Sequence, residues 1–137
     1  MILPMMGILP HPHRGSKHSA GIDLAIQRDL HIYPGTSEVV DLHIMVEIPE
    51  GYYGLLTHRS SLAFRRDCII STGIIDSDYR GSISCKIFNL GKDIQHFDKA
   101  ERVAQLIVQK YESVVPMVSY ALSDTARGEN GFGHSGV

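Results

Sequence analysis

The sequence predicts an all-β domain built from two packed sheets, and three observations support this fold class. Segments with apolar side chains at alternate positions recur along the chain, and their β-branched residues favour strands. Gly, Pro, Asn and Asp interrupt these segments about every 8–12 residues, a spacing typical of sandwiches and barrels. The 137 residues suffice for one domain with a hydrophobic core, and no linker or internal repeat divides them.

The first half of the chain contains the clearest strand pattern. Residues 1–13 are apolar but interrupted by three prolines, which indicates an N-terminal strand or arm with bends. Strict alternation over residues 39–48 predicts a half-buried strand whose inward side chains are Val40, Leu42, Ile44, Val46 and Ile48. A turn at residues 49–51 separates it from a predicted strand over residues 52–57. Residues 61–66 favour a helix of one or two turns.

The second half continues the alternation of strands and turns. Residues 67–72 and 82–89 are strand-like and flank an Asp- and Gly-rich segment, residues 73–81, which predicts a hairpin or tight loop. Residues 102–110 have the alternation and β-branched content of a strand, although they could be mistaken for a helix. Residues 113–120 are expected to form the last strand.

Composition and charge exclude several functional classes. Hydrophobic residues make up 43% of the chain and charged residues 20%, as in ordinary globular domains. The net charge of -2 provides no basic surface, so we expect no direct nucleic acid partner. No apolar run has the length of a membrane span, and residues 1–13 lack the features of a signal peptide. We therefore expect no membrane association and an intracellular setting, whether cytoplasmic, nuclear or virus-encoded.

The cysteines and histidines predict no protein-held metal site. Cys68 and Cys85 lie in strand-like segments and form no C-x-x-C pair, which indicates buried free thiols in a reducing compartment. His11 and His13 form an H-x-H pair, and the other six histidines are scattered. Without a third ligand in pattern, a zinc site is not expected.

Two segments combine residue types suited to a phosphorylated ligand. Arg59, Ser60 and Ser61 follow a predicted strand, and a guanidinium beside hydroxyls and free backbone N–H groups can bind phosphate. Taken alone, such a segment is more often a solvated loop with a helix cap. Asp76 and Tyr79 lie within residues 73–81, where an aspartate could equally be a turn residue. At a strand end, the pair could form a platform for a sugar or a base.

Two further clusters complete the set. Asp23 interrupts an apolar strand, where alternation alone would let it face solvent. Residues 123–137 contain four glycines and cannot form a core, so they are expected to be a mobile tail. Within that tail, Phe132 lies between two glycines and Arg127 precedes it. An aromatic ring on a glycine hinge can fold over a flat ligand, although composition alone indicates only a flexible end.

In this order, the clusters resemble the five motifs of the homotrimeric dUTPase family. The resemblance extends from about residue 19 to the C-terminus, and its third and fifth motifs are specific. The matching segments are SAGIDLAI (19–26), RSSLA (59–63), GIIDSDYRG (73–81), ERVAQLI (101–107) and RGENGFGHSG (127–136).

The resemblance implies a small jelly-roll-like β-sandwich or barrel with a flexible Gly-rich C-terminal tail. The body would be residues 1–122, and residues 123–137 would be a mobile tail that closes the active site. The protein would be a homotrimer with three active sites shared between subunits. The reaction would be hydrolysis of dUTP to dUMP and pyrophosphate with Mg2+, which keeps uracil out of DNA and supplies dUMP for thymidylate synthesis.

The resemblance also implies a role for each candidate residue. Asp76 would orient the water that attacks the α-phosphorus, and Tyr79 would lie against the deoxyribose and reject a 2′-hydroxyl. The hairpin that begins at Gly73 would read the edge of uracil. The phosphates would be held by Arg59, Ser60, Ser61 and Gln105. Asp23 would bind, through water, the Mg2+ carried by the triphosphate. From the tail, the closing residues would be Phe132 on uracil, Gly133 beside it, and Arg127 and Ser135 at the γ-phosphate.

Three positions depart from the family pattern. His134 stands where the fifth motif commonly has Ser or Thr, and its imidazole can still donate to phosphate, so we hypothesise pH-sensitive binding. Ile70 stands where some bacterial members have an Asn near the base, so more of the recognition of uracil would rest on backbone groups. The fourth motif begins Lys99-Ala100-Glu101 and lacks the usual glycine, which would alter only a turn.

Two alternatives remain open at this stage. The related dCTP deaminases share the R-S-S-L-A segment, but the position of their catalytic glutamate, three residues before Asn89, is Lys86 here. A lysine cannot perform that role, and the G-F-G tail also favours a dUTPase. The second alternative is a binding or regulatory protein on the same scaffold, and the retained catalytic residues disfavour but do not exclude such a role.

Overall fold

The protein, described here from a computed structural model over residues 3–7, 10–71 and 73–129, is built almost entirely of strands, as predicted. These residues form eleven strands and one helix: β1 Met5–Gly7, β2 Ile22–Ala25, β3 Leu30–Ile32, β4 Ser37–Asp41, β5 Ile44–Val46, β6 Tyr52–His58, α1 Ser60–Arg66, β7 Cys68–Ile70, β8 Gly73–Ile75, β9 Ser84–Asn89, β10 Gln95–Phe97 and β11 Arg102–Lys110.

Two main sheets enclose the hydrophobic core. One has the strand order β2-β11-β6-β8 and the other has the order β4-β9-β7. Two smaller antiparallel pairs, β1-β5 and β3-β10, complete the structure, and the described strands do not close into a barrel. The side chains between the sheets are nearly all aliphatic, and Leu24, Val40, Leu56, Ile87 and Leu106 are each at most 1% exposed. Their burial is the main stabilising contribution to the fold.

The predicted strand over residues 39–48 is two strands, although its alternation is confirmed. Its five predicted inward side chains are all buried. The break lies at His43, whose φ of 53° is incompatible with a continuous strand. The backbone N–H of His43 donates to Asp41 Oδ1 at 2.7 Å, which supports the left-handed conformation.

The hairpin predicted around residues 73–81 is present and crosses between the sheets. β7 and β9 pair antiparallel, with Ile70 opposite Ile87. Between them, β8 leaves that sheet and pairs with β6 at the edge of the other sheet, with Gly73 opposite Leu56. The turn that follows β8 therefore lies at the edge of the sandwich.

The prediction of a strand over residues 113–120 is wrong. The last strand ends at Lys110, and no strand is present over residues 111–129. Among the described residues no strand pairs with this segment, and Pro116 lacks the N–H that a ladder requires. As a result, Val115 is 91% exposed and Tyr120 fully exposed. The apolar pattern predicted burial, and the chain by itself does not bury this segment.

The helix predicted over residues 61–66 is confirmed as α1. It buries Leu62 and ends at Asp67, whose φ of 48° is left-handed and whose N–H donates to the carbonyl of Leu62. Its seven residues are too few to cross a membrane, and no other helix occurs in the described ranges.

The buried polar side chain of Asn89 joins three parts of the structure. It is fully buried, and its Nδ2 donates to the carbonyl of Ile32 at 2.9 Å and to that of Asp93 at 2.8 Å. Its Oδ1 accepts from the N–H of Gly91 at 3.0 Å. The predicted burial of Cys68 and Cys85 as free thiols is also confirmed, and burial raises the pKa of Cys85 to about 12.

Candidate functional site

Three neighbouring strands bring one group of predicted residues together. Asp23 in β2 pairs with Gln105 in β11, which pairs in turn with Thr57 in β6. Gln105 Nε2 donates to the carbonyl of His58 at 3.0 Å, which fixes the side-chain amide. A cavity of about 180 Å3 opens beside them, lined by Gly15, Ser19, Gly21, Asp23, Arg59, Ser60 and Gln105.

We call this cavity the phosphate-type cavity. Its charged side chains are arranged around Asp23. Its side chain is only 11% exposed, and its Oδ1 lies 3.1 Å from Arg59 Nε. Its Oδ2 lies 3.9 Å from Arg102 Nη1. Arg59 Nη1 also donates to the carbonyl of Arg102 at 3.2 Å, so the guanidinium is held at two points. The cavity thus presents a fixed cation beside a hydroxyl and an amide, a combination that suits phosphate oxygens.

Gly21 leaves the space that the side chain of Gln105 occupies. A Cβ at this position would lie 2.2 Å from Gln105 Oε1, closer than any real contact. Ser61, which was predicted with the same group, lines a neighbouring cavity of about 250 Å3. Of the predicted phosphate-binding residues, Arg59, Ser60 and Gln105 therefore share one cavity, and Ser61 faces the next.

The turn after β8 forms a second cavity, which we call the hairpin cavity. It has a volume of about 270 Å3 and is lined by Ile74, Ile75, Asp76, Tyr79, Ser82, Ile83 and Ser84. The N–H of Tyr79 donates to the carbonyl of Asp76 at 3.1 Å, which closes the turn. Tyr79 Oη donates to the carbonyl of Ser82 at 2.9 Å and fixes the ring. The exposed carboxylate of Asp76 and the ring of Tyr79 thus border one cavity, as predicted.

Gly81 allows the ring of Tyr79 to fold back over the turn. A Cβ on Gly81 would lie 2.4 Å from Tyr79 Oη. Gly73, the other glycine of this motif, pairs with Leu56 and does not line the hairpin cavity.

Sequence reasoning missed two residues that hold the end of this turn. Ser82 Oγ donates to Asp41 Oδ1 in a short hydrogen bond, and the N–H of His43 donates to the same oxygen. The hydroxyl of Ser82 is the largest influence that holds the pKa of Asp41 below its ordinary value. No sequence signal identifies Asp41, because it occupies an outward position of an alternating strand.

The two cavities are far apart within one chain. The last residue of β8 pairs with Gly54, so Asp76 lies level with Tyr53 near the start of β6. Arg59 follows the opposite end of β6. Six residues of extended strand separate these levels by roughly 20 Å. The cavities share no lining residue.

The C-terminal candidates are only partly described. Arg127 is exposed and lies in the segment that follows the last strand. Phe132, Gly133 and Ser135, together with His134, lie outside the described residues.

The donor set suits a cation that arrives with a ligand. The described residues contain no group of three or more His, Cys, Asp or Glu side chains that could hold a metal ion. Asp23 is the only carboxylate among the described residues that line this cavity, and Arg59 and Arg102 lie close to it. A hydrated Mg2+ that takes most of its ligands from phosphates and water fits a single carboxylate of this kind.

Comparisons with known proteins agree with the geometry. The dUTPase family model matches residues 9–136. The deoxyuridine 5'-triphosphate nucleotidohydrolase of Escherichia phage T5 is 42% identical over 91% of this chain and 90% of that protein. The mouse protein of that name is 38% identical over 91% and 77%, respectively. A solved structure, a Staphylococcus bacteriophage 80alpha dUTPase mutant with dUpNHpp, has a TM-score of 0.89 and 28% identity over 99% of both chains. The chain belongs to the dUTPase family.

Proposed function

We propose that the protein hydrolyses dUTP to dUMP and pyrophosphate. The observation that carries the proposal is the presence of two complementary cavities. One has a carboxylate and an aromatic ring on a fixed turn, and the other has an arginine, a hydroxyl and an amide around a single carboxylate. Family membership and the names of the relatives support the same reaction. The reaction would keep uracil out of DNA and supply dUMP for thymidylate synthesis.

Asp76 is the residue that we assign to the reacting water. Its carboxylate is exposed at the rim of the hairpin cavity, where it can accept a hydrogen bond from water beside the α-phosphate. The water oxygen forms a bond to the α-phosphorus while the bond to the bridging oxygen of the β-phosphate breaks, and pyrophosphate leaves. Asp76 orients the water and accepts its proton.

Tyr79 is assigned to selection of the deoxyribose. Its hydroxyl donates to the carbonyl of Ser82, which favours a ring position beside the cavity. A ring fixed against C2′ leaves no space for a 2′-hydroxyl, so UTP is excluded sterically. Backbone groups of the hairpin from Gly73 onward are assigned to the edge of uracil.

The phosphates are assigned to Arg59, Ser60, Ser61 and Gln105. Phosphoryl transfer depends mainly on positioning and charge neutralisation, which a held guanidinium provides. Mg2+ bound with the triphosphate would add positive charge, and Asp23 would hold it through water.

We infer that the complete site forms between copies of the chain, as a homotrimer. A separation of roughly 20 Å is too long for one nucleotide to reach Asp76 and Arg59 of the same copy. The exposed apolar side chains of residues 111–122 favour association. Two faces of the molecule also carry complementary charges. A groove of about 910 Å3 beside Asp76 contains Glu47, Glu50 and Asp78 with one arginine, Arg80. Another face is bordered by Arg59, Arg65 and Arg102.

Residues 123–137 are proposed as a tail that closes the assembled site. Phe132 would stack on uracil, with Gly133 beside it, and Arg127 and Ser135 would contact the γ-phosphate. Closure on the correct ligand would exclude bulk water from the reaction.

Pyrophosphate release from dUTP, dTTP, dCTP and UTP tests the reaction. We expect turnover of dUTP alone with Mg2+, and a loss of about 10²–10⁴-fold in Asp76→Asn. Asp78→Asn is the matched control, because it removes a carboxylate two residues away and should retain most activity. No turnover of any nucleotide by folded protein would overturn the proposal and direct attention to a binding role. Formation of dUTP or dUMP from dCTP would instead indicate deamination.

A further inference from the structure

Two histidines face each other on the outer surface of the β3-β10 pair. His31 and His96 are directly opposite in the antiparallel register, and both are exposed. Their Nδ1 atoms are 2.8 Å apart, and their rings are nearly perpendicular, with an interplanar angle of 89°. Neither residue belongs to the candidate active site or to a family motif described above.

The atoms that approach each other are both potential metal ligands. In the metal-free pair, one Nδ1 carries a proton and donates to the other, which accepts. If that proton moves to Nε2 of the same ring through solvent, both Nδ1 lone pairs become available and no proton is lost from the protein. Metal binding therefore requires a change of tautomer on one ring but no loss of a proton from the protein.

The distance between the two nitrogens matches the geometry of a coordinated ion. Imidazole–metal bonds of about 2.0–2.1 Å at a right angle place two nitrogens about 2.9 Å apart. Right angles between neighbouring ligands are characteristic of square-planar Cu2+ and of tetragonal Ni2+. We propose that His31 and His96 form a two-imidazole site for divalent copper or nickel, with the remaining coordination positions filled by water.

The strands beneath the histidines keep this spacing fixed. Leu30, Ile32 and Phe97, the flanking residues of the same two strands, are each at most 2% exposed. Arg66 donates to the carbonyl of His96, and its guanidinium carbon lies 3.9 Å from the centre of the Phe97 ring. The backbone positions are thus set by the core, and only the rings need to turn for both lone pairs to point at one ion.

The nearby charges also permit a cation. The positive charge of Arg66 is paired with Glu101. Asp29 directly precedes β3 and Asp98 directly follows β10, each two residues from one histidine of the pair, and both are exposed. Asp29 Oδ1 accepts from the N–H of Lys99 at 2.7 Å. The negative charges of the two aspartates favour a divalent ion nearby.

The chemistry of the site separates it from the Mg2+ of the proposed reaction. Mg2+ prefers oxygen ligands, whereas imidazole suits copper and nickel, and Cu2+ is bound most strongly among the divalent first-row ions. Bound metal would link β3 to β10 and stabilise the fold by preferring the folded state.

Cu2+ titration of the full chain tests the proposal. His11 and His13 are first changed to Gln to remove the H-x-H pair near the N-terminus. In that background, we expect one equivalent of Cu2+ to raise the thermal midpoint, and the electron paramagnetic resonance spectrum to show couplings from two nitrogens. His31→Gln and His96→Gln should each weaken binding at least tenfold. His43→Gln, which changes another exposed histidine, is the matched control and should bind normally.

The outcomes distinguish the proposal from nonspecific binding. Thermal midpoints measured with a chelator establish that each variant is folded. Loss of binding in both histidine variants supports the two-imidazole site. Unchanged affinity in either variant would overturn it. If a variant does not fold, the spectrum of the background protein decides, because coupling from fewer than two nitrogens would contradict the site.

Discussion

At the scale of single residues, Asp41 at the end of β4 links that strand to the hairpin cavity. Its carboxylate accepts from the hydroxyl of Ser82, whose carbonyl in turn holds the ring of Tyr79. Asp41 is therefore a positioning residue for the proposed site, and its charge strengthens the hydrogen bonds that it accepts.

Asp41→Asn should lower stability at neutral pH and remove part of the acid sensitivity of the protein. Because folding lowers the pKa of Asp41 below 3.8, its contribution is complete above that value and is lost as the pH falls through the folded-state pKa. Urea unfolding at about pH 7 and about pH 3 measures the free energy of unfolding of the original protein and of the variant. The difference between these two free energies should shrink at the acidic pH, and a constant difference would contradict this account. Asp124→Asn, in the exposed C-terminal segment, is the control.

Ala100 occupies a backbone conformation that favours glycine. Its φ is 73°, in a turn closed by a 3.0 Å hydrogen bond from the N–H of Glu101 to the carbonyl of Asp98. Ala100→Gly should raise the free energy of unfolding by about 0.5–1 kcal/mol, since relief of the left-handed strain exceeds the entropy that glycine adds to the unfolded chain. Urea denaturation measures the change. Ala63→Gly inside α1 should have the opposite sign, and stabilisation of both variants would refute the explanation.

Sequence reasoning grouped residues most readily where the chain places them side by side. Arg59 and Ser60 are adjacent in sequence, and the cavity brings them to Asp23 and Gln105 because β2, β11 and β6 are neighbours. Asp41 could not be found in this way, because its role depends on a contact with a residue 41 positions away.

At the scale of elements, Asn89 connects β9, β3 and the following loop. Removal of its side chain would leave the carbonyls of Ile32 and Asp93 and the N–H of Gly91 without these partners. Asn89→Ala should therefore lower the free energy of unfolding by about 3 kcal/mol. Denaturant unfolding measures the loss, with Ser84→Ala on the exposed face of β9 as the control. A loss as small as that of the control would show that water replaces these bonds.

Alternation predicted the strands but not all of their boundaries or partners. The pattern over residues 39–48 identified every inward side chain, yet the break at His43 depends on a turn and a side-chain bond. Residues 113–120 have strand-like composition, but a strand requires a partner, and composition does not say whether one exists. Strand pairing depends on the folded structure and not on local composition. This explains why neither the break at His43 nor the absence of a strand over residues 113–120 was predicted.

At the scale of the whole molecule, a site shared between copies predicts complementation. Asp76→Asn and Arg59→Ala should each be inactive alone. Refolded together in equal amounts, they should recover about a quarter of the activity, because about one interface in four joins an intact Asp76 to an intact Arg59. Pyrophosphate release measures the recovery, and sedimentation measures the number of chains.

A matched mixture tests the specificity of that recovery. Asp76→Asn refolded with Tyr79→Ala combines two lesions in the same cavity and should restore no activity, because each copy contributes a hairpin cavity that lacks one of the two residues. Asp76→Asn and Arg59→Ala combined in one chain should likewise restore nothing when refolded with itself. If the first mixture remains inactive although the copies associate, both residues must act within one copy.

If Arg59 holds a phosphate of the substrate as proposed, its ion pair with Asp23 means that this phosphate would bind by exchange. In the free protein the guanidinium already holds a carboxylate, 3.1 Å away. An incoming phosphate therefore replaces an internal anion as well as loosely bound salt, so affinity should depend less steeply on ionic strength than it would for an arginine without such a partner. When pyrophosphate departs in the proposed reaction, Asp23 would pair with the guanidinium again. The carboxylate would thus compete with the product for Arg59 and favour its release.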